Sequence, residues 1–94
     1  MARTIHKFPL SLVESQILDM PGTASILSVQ DQGGVLTLWA MLDPQHATNQ
    51  REVTIVGTGQ RVPASVGINS YVDTVQAGSF VWHVFAKPLP RDHG

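Results

Sequence analysis

The chain has 94 residues and a formal net charge of −1 at pH 7, from 6 Lys and Arg against 7 Asp and Glu. This length supports one domain with a single core and excludes a second domain. Because the chain has no cysteine, disulfides, thiolate metal sites and a cysteine nucleophile are excluded. Its basic residues are few and scattered, which argues against a nucleic-acid partner.

We expect neither a membrane span nor a secretion signal in this sequence. No run approaches the roughly 18 apolar residues that a membrane-spanning segment needs. The first ten residues, MARTIHKFPL, lack the apolar run of a signal peptide. We therefore expect no membrane partner, and the lack of cysteine permits a cytoplasmic location without requiring it.

The β-branched residues indicate an all-β fold. Val, Ile and Thr make up 23 of the 94 residues, and such side chains favour strands over helices. The first predicted strand runs from Arg3 to Phe8, and the following Pro9 is typical of an edge strand. The short segment 15–19 is predicted as a strand, with a helical turn over 11–20 as the alternative.

A glycine pair marks the clearest hairpin of the chain. Gly33 and Gly34 separate two β-rich runs, Ala24–Gln32 and Val35–Asp43, and primed two-residue turns require the positive φ that glycine tolerates. Both faces of the second run are largely apolar. Such a strand is either covered on both sides or presents its outer face to a partner.

The candidate partner-binding residues lie on that outer face. Trp39 is flanked there by Thr37 and Met41, and Trp and Met are enriched at protein contacts. Core packing accounts for at least half of the other large aromatic residues in a chain this small. We predict that this face binds another protein or a second copy of the chain, which would make a homo-oligomer.

The second half of the chain is predicted to hold three strands and two loops. An exposed loop over 43–50 precedes a strand at Arg51–Val56, and residues 57–69 form a long loop rich in Gly and Pro. A closing hairpin follows, with arms Ser70–Gln76 and Ser79–Ala86 around Ala77-Gly78. The whole pattern gives six or seven short strands, and hence a small open barrel or a two-layer antiparallel sandwich. Residues 1–86 form the domain, and residues 87–94 are predicted to be a flexible tail.

A series of short blocks resembles a family of small phage and prophage proteins of unknown function. The resemblance spans about Lys7 to Phe85 and implies a mobile-element origin, a small β domain and action inside a bacterial cell; it implies no catalytic residues. The blocks that carry it are KFPL at 7–10, MP at 20–21, ILSVQ at 26–30, LWA at 38–40, GTG at 57–59, TVQ at 74–76 and HVF at 83–85.

One glycine-rich segment is a candidate anion site. Gly57-Thr58-Gly59 follows a predicted strand and could present backbone N–H groups to a phosphate, with Arg61 as the nearby cation. It lacks the third glycine of a dinucleotide fingerprint and the Lys of a P-loop. A strand exit or a β-bulge that needs positive φ is the favoured interpretation, and ligand binding is the alternative.

The chain offers no catalytic or metal motif. No two of its four histidines have the spacing of a local metal pair, and His83 is interpreted as a structural histidine. Ser70, Ser79, Asp73 and His83 supply the residue types of a hydrolase, but no nucleophile motif joins them. We therefore predict a non-enzymatic protein that uses no cofactor and no metal.

Three function hypotheses follow from these residues and from the resemblance. The first is a phage accessory protein that inhibits a bacterial host protein, such as a component of antiviral defence, through Trp39, Thr37 and Met41. The alternative is a protein that sequesters a nucleotide or another small molecule at the loop that contains Gly57 and Arg61. A third hypothesis is a minor virion or assembly component.

Overall fold

The computed structural model describes residues 2–89, which form seven strands and one turn of 3₁₀ helix at Ile68–Ser70. No helix of residues 2–89 is long and apolar enough to cross a membrane. The strands are β1 (Thr4–Pro9), β2 (Ser15–Pro21), β3 (Ser25–Gln32), β4 (Val35–Leu42), β5 (Thr48–Gly57), β6 (Tyr71–Ala77) and β7 (Phe80–Pro88).

The strands form two antiparallel sheets that pack face to face. The three-stranded sheet has the order β1-β4-β3, and the four-stranded sheet has the order β2-β5-β7-β6. Within residues 2–89 no strand pairing joins the two sheets, so the predicted all-β fold is confirmed as a two-layer sandwich and the barrel alternative is wrong. The edge position predicted for the first strand is also confirmed.

The two predicted hairpins are present. Gly33 and Gly34 have φ values of 59° and 91°, and Gln32 pairs with Val35 across them, as a type I′ turn requires. In the closing hairpin Ala77 pairs with Phe80, so the turn residues are Gly78-Ser79, one position later than predicted. Gly78 supplies the positive φ, at 63°.

Three expectations about local structure are corrected. Residues 15–21 form strand β2, so the helical alternative is wrong. The predicted loop over 43–50 ends at Ala47, because Thr48–Gln50 pairs with Asp19–Pro21 as the start of β5. Strand β7 continues to Pro88, and the Leu89 amide donates to the Gln50 carbonyl at 2.9 Å; the rest of the predicted tail lies outside the described residues.

The core consists of aliphatic side chains from the inner faces of both sheets. Leu38 and Ala40 of β4 are fully buried, as are Val53 of β5 and Val84 of β7. The alternation that assigned Leu36, Leu38, Ala40 and Leu42 to one face is confirmed, because all four belong to this core. Burial of apolar surface is the main favourable contribution to folding a chain of this size.

The segment 58–70 is a crossover connection rather than a free loop. Strands β5 and β6 both pair with β7, one on each side, so the chain between them must cross β7. The ammonium of Lys87 donates to the Ser65 carbonyl at 3.1 Å and lies 3.6 Å from the Glu52 carboxylate. Glu52 in turn accepts a hydrogen bond from the Ser15 hydroxyl at 2.7 Å. This polar row links the crossover connection to three strands on the outer face of the four-stranded sheet.

Arg51 is a charged residue at the inner side of β5. Its guanidinium donates to the carbonyls of Ala24 at 2.7 Å and Gly22 at 3.3 Å, which holds the connection between β2 and β3. Partial burial lowers the pKa of Arg51, but a guanidinium keeps its charge at neutral pH.

A side-chain carboxylate joins the two sheets at the β3–β6 edge. Asp73 Oδ2 accepts a hydrogen bond from the Val29 amide at 3.0 Å, and Oδ1 accepts one from the Thr74 amide at 2.9 Å. The register of β6 shifts between Tyr71 and Asp73. This irregularity turns the carboxylate toward the partner sheet, so Asp73 satisfies a backbone donor that the three-stranded sheet leaves free.

We predict that Asp73→Ala destabilises the protein by about 1 to 3 kcal/mol, because it removes a charge-assisted hydrogen bond and leaves the Val29 amide without its acceptor. Urea unfolding monitored by circular dichroism measures the free energy of unfolding. Asp19→Ala is the control, since Asp19 is an exposed carboxylate on β2. Equal stabilities of the two variants would contradict this role for Asp73.

Candidate functional site

The three-stranded sheet does not cover the whole inner face of its partner. Along the inner face of β7, Val84 is fully buried and Trp82 is half-buried, whereas Phe80 is 62% exposed. The rings of Phe80 and Trp82 are stacked, with centroids 5.7 Å apart and an interplanar angle of 23°. The sandwich therefore ends in an exposed aromatic pair.

A hydrogen-bonded turn follows β5 beside this aromatic pair. The Gln60 amide donates to the Gly57 carbonyl at 3.0 Å, and Gly59 has a φ of 90°, which is the pattern of a type II turn. The side-chain Oε1 of Gln60 accepts a hydrogen bond from the Gly57 amide at 2.7 Å. The predicted strand exit with positive φ is thus confirmed, and the glycine that needs positive φ is Gly59.

Gly57 is required for a different reason, the close approach of Trp82. The two residues are cross-strand partners, and a Cβ added at Gly57 would lie 3.2 Å from Trp82 Cζ3 and 3.1 Å from Gln60 Oε1. The distance of 3.2 Å to the Trp82 carbon is shorter than the optimal separation of two non-bonded carbons, about 3.5 to 4.0 Å. The absence of a side chain at Gly57 therefore allows the indole to lie over the backbone of β5.

Two open cavities flank the turn, and Gln60 and Trp82 line both. The first has a volume of about 560 Å³ and is lined by Leu12, Val13, Glu14, Ile55, Val56, Gln60, Arg61 and Trp82. The second has a volume of about 400 Å³ and is lined by Gly57, Thr58, Gln60, Ser79, Phe80, Val81 and Trp82. We call the two cavities together the end site.

The first cavity combines apolar walls with one cation and one anion. Leu12 and Val13, in the connection between β1 and β2, are 63% and 47% exposed. Arg61 and Glu14 supply the charges. In the described part of the chain the ion pairs are His46–Asp43 and Lys87–Glu52, so neither charge of the cavity is neutralised by a described salt bridge. Ligand pockets commonly combine apolar walls with polar groups that orient the ligand.

His83 takes part in a chain of hydroxyl groups on the outer face of the same sheet. Its Nε2 lies 2.7 Å from the Thr58 hydroxyl and its Nδ1 lies 3.0 Å from the Thr74 hydroxyl, which is itself 2.6 Å from the Tyr71 hydroxyl. Because both ring nitrogens have hydroxyl partners, this arrangement attaches the turn at Thr58 to β6 and β7. It agrees with the structural interpretation of His83.

The residue types of a hydrolase are not brought together. The carboxylate of Asp73 accepts hydrogen bonds from backbone amides of β3 and β6, whereas His83 bonds to threonine hydroxyls. Ser79 lines the second cavity. Between Ala2 and Leu89, no cluster of three His, Asp or Glu side chains is arranged to hold a metal ion.

The face predicted to bind a partner lies on the three-stranded sheet, away from the end site. Trp39 and Met41 are half-buried, whereas Thr37 is only 2% exposed and its hydroxyl donates to the Val35 carbonyl. Lys7 from β1 lies over the Trp39 ring, 6.0 Å from its centroid, and donates to the Gln32 side chain at 3.2 Å. A partner on this face would contact Trp39 and Met41 directly, whereas Thr37 offers almost no accessible surface.

The structure assembles most of the predicted ligand-binding residues. Arg61 lines the first cavity and Gly57 and Thr58 line the second, while Gly59 forms the turn between them. The sequence interpretation missed Trp82 and Gln60. The GTG segment lies in the turn beside both cavities, but alternation could not show the pairing of β5 with β7 that places Trp82 beside Gly57.

Comparison with known proteins gives a family and no characterised relative. The model of a family described as a domain of unknown function (DUF7352) matches residues 1–94. Neither curated proteins nor solved structures gave a significant match. The expectation of a family of unknown function is confirmed, and the phage or prophage origin stays a prediction.

We predict that Gly57→Ala displaces Trp82 and destabilises the protein by about 1 to 3 kcal/mol, the usual cost of overpacking. Gly67→Ala is the matched control, because no described atom lies within 4 Å of a Cβ at Gly67 and its φ of −111° suits any residue. Urea unfolding and near-ultraviolet circular dichroism of the indole measure both effects. Equal stabilities and unchanged indole spectra in the two variants would contradict the close approach.

Proposed function

The chain belongs to the DUF7352 family, a domain of unknown function, and we propose that it is a non-enzymatic accessory protein that acts by binding. The observation that carries this proposal is the end site, where two cavities meet at Gln60 and Trp82. Its ligand is a small organic molecule, which the protein sequesters. The phage or mobile-element origin and the cytoplasm of a bacterial host, both implied by the resemblance, belong to the same proposal.

The exposed apolar side chains of the end site support ligand binding. Leu12 and Phe80 are each more than 60% exposed, and they lie at cavities that also contain the half-buried Trp82. A ligand that covers such side chains gains the free energy of removing apolar surface from water, about 25 cal/mol per Å².

The site also rests on a fixed scaffold. Hydrogen bonds from Gly57 and Gln60 close the turn, and the Thr58 amide donates to the Val81 carbonyl at 3.2 Å. A wall held in one conformation reduces the entropy lost on binding. This rigidity favours a preformed binding site over a mobile loop that folds around its ligand.

The test is to purify the protein from bacterial cells and analyse the native complex by mass spectrometry for a bound small molecule. We expect a stoichiometric ligand that raises the melting temperature when it is added back to stripped protein. Arg61→Ala should lose that ligand, and Arg3→Ala should retain it, because Arg3 is an exposed cation near the N-terminus. A protein that neither retains nor is stabilised by any extracted metabolite would overturn the sequestering function.

A second candidate function is inhibition of a bacterial protein, such as a defence component. The observation that favours it is the outer face of the three-stranded sheet, where Ile5 is 60% and Val35 is 45% exposed beside the half-buried Trp39 and Met41. Large aromatic residues contribute strongly at protein interfaces. The same face could bind a second copy of the chain, which would produce a homo-oligomer.

We expect Trp39→Ala to weaken association with such a protein partner about tenfold or more, the effect of losing a central aromatic anchor, while the domain stays folded. Affinity capture from a bacterial lysate followed by titration of the identified partner measures the change. Ile68→Ala is the control, since Ile68 is exposed on the crossover connection. Size-exclusion chromatography with light scattering separates a host partner from self-association, and a Trp39→Ala protein that binds normally would refute this surface.

A further inference from the structure

We propose that the ligand of the end site combines an aromatic ring with an anionic group, which is the chemistry of a nucleotide. The inference rests on the sequestering function proposed above and assigns the class of molecule. Three side chains carry it, namely Trp82, Gln60 and Arg61, which line the first cavity together.

The apolar walls of the first cavity suit a flat ring. Trp82 stands on one side of the turn, and Leu12 and Val13 of the β1–β2 connection supply further apolar surface. Stacking of a nucleic-acid base on an aromatic side chain contributes about 1 to 3 kcal/mol. Because the indole lies against β5 at Gly57 and stacks with the ring of Phe80, Trp82 keeps a defined position. A ligand ring can pack against the exposed side of this aromatic pair, where Phe80 is 62% exposed.

Gln60 gives the site a hydrogen-bond donor beside that ring. Its Oε1 already accepts the Gly57 amide at 2.7 Å, and this bond fixes which end of the side-chain amide carries the oxygen. The Nε2 group is then left to donate its two hydrogens. A ring nitrogen or a carbonyl at the edge of a heterocycle is the acceptor that matches it.

Arg61 supplies the charge that selects an anion. Its guanidinium is exposed and forms no salt bridge with any described carboxylate, so it can offer a forked pair of donors to a phosphate. Glu14 lines the same cavity and repels a second anionic group placed beside it. Its carboxylate can instead accept hydrogen bonds from hydroxyl or amino groups, which nucleotides carry between the phosphate and the ring edge.

The experiment uses Trp82 as its own reporter. Trp39→Phe leaves Trp82 as the sole tryptophan of the chain, and Trp39 lies on the other sheet. The emission of this variant, excited at about 295 nm to avoid absorption by the base, is titrated with AMP, with adenosine and with inorganic phosphate. A melting curve first establishes that the variant is folded; if it is not, the melting temperature of the wild-type protein replaces fluorescence as the readout.

We expect saturable quenching by AMP and binding of adenosine that is about tenfold weaker, because one charge-assisted phosphate contact is lost. Inorganic phosphate should leave the emission unchanged, since it cannot stack. Arg61→Gln in the same background should lower the AMP affinity to that of adenosine. Arg3→Gln should leave it unchanged and so excludes a general effect of net charge.

Two results would overturn the inference. One is the absence of saturable AMP binding, and the other is equal affinity for AMP in the Arg61→Gln and Arg3→Gln proteins. If native mass spectrometry finds a non-aromatic or uncharged ligand whose retention requires the end site, the assigned class fails while the sequestering function stands. If the protein retains no small molecule and binds none of the probes, both fail together.

Discussion

The fold depends on burying the inner faces of two unequal sheets against each other. Residues 2–89 contain no α-helix that could cover either sheet. Each sheet therefore supplies the apolar surface that the other needs. Leu38 and Ala40 on one side and Val53 and Val84 on the other are fully buried as a result. The Asp73 carboxylate adds a hydrogen bond between the layers at the β3–β6 edge, where a backbone amide would otherwise lack an acceptor.

The candidate site follows from the inequality of the sheets. The inner face of β7 passes from buried Val84 to exposed Phe80 as the cover of the three-stranded sheet ends. At the same end, the chain leaves β5 by a tight turn and crosses β7 to reach β6. The turn, the aromatic pair and Arg61 therefore meet at one place because the core stops there. A chain of 94 residues has little further structure with which to close such an end.

The sequence predicted local features well where a single physical rule decides them. Two glycines between β-rich runs specify a primed turn, and alternation along β4 separated core from surface. The rule of side-chain alternation failed at strand boundaries that tertiary pairing decides. Thr48–Gln50 has no apolar pattern, yet it pairs with β2, because the hydrogen bonds between strands need no apolar side chain. In the same way, Thr37 is buried on the face that alternation assigned to the surface. Lys7 of β1 and Gln32 of β3 are hydrogen-bonded to each other from either side of β4, a contact that depends on which strands lie next to β4.

The sequence by itself determined the all-β class, the two hairpins, the inward face of β4 and the strand exit at residues 57–59, because these depend on side-chain alternation and on backbone φ at neighbouring positions. The tertiary structure alone decided the strand order, the crossover over β7 and the meeting of Gly57 with Trp82, residues 25 positions apart in the sequence. Strand order is a long-range choice among pairings that local patterns allow equally. The site was therefore visible in the sequence as a glycine-rich turn with an arginine, and it acquired its aromatic wall only when β5 paired with β7.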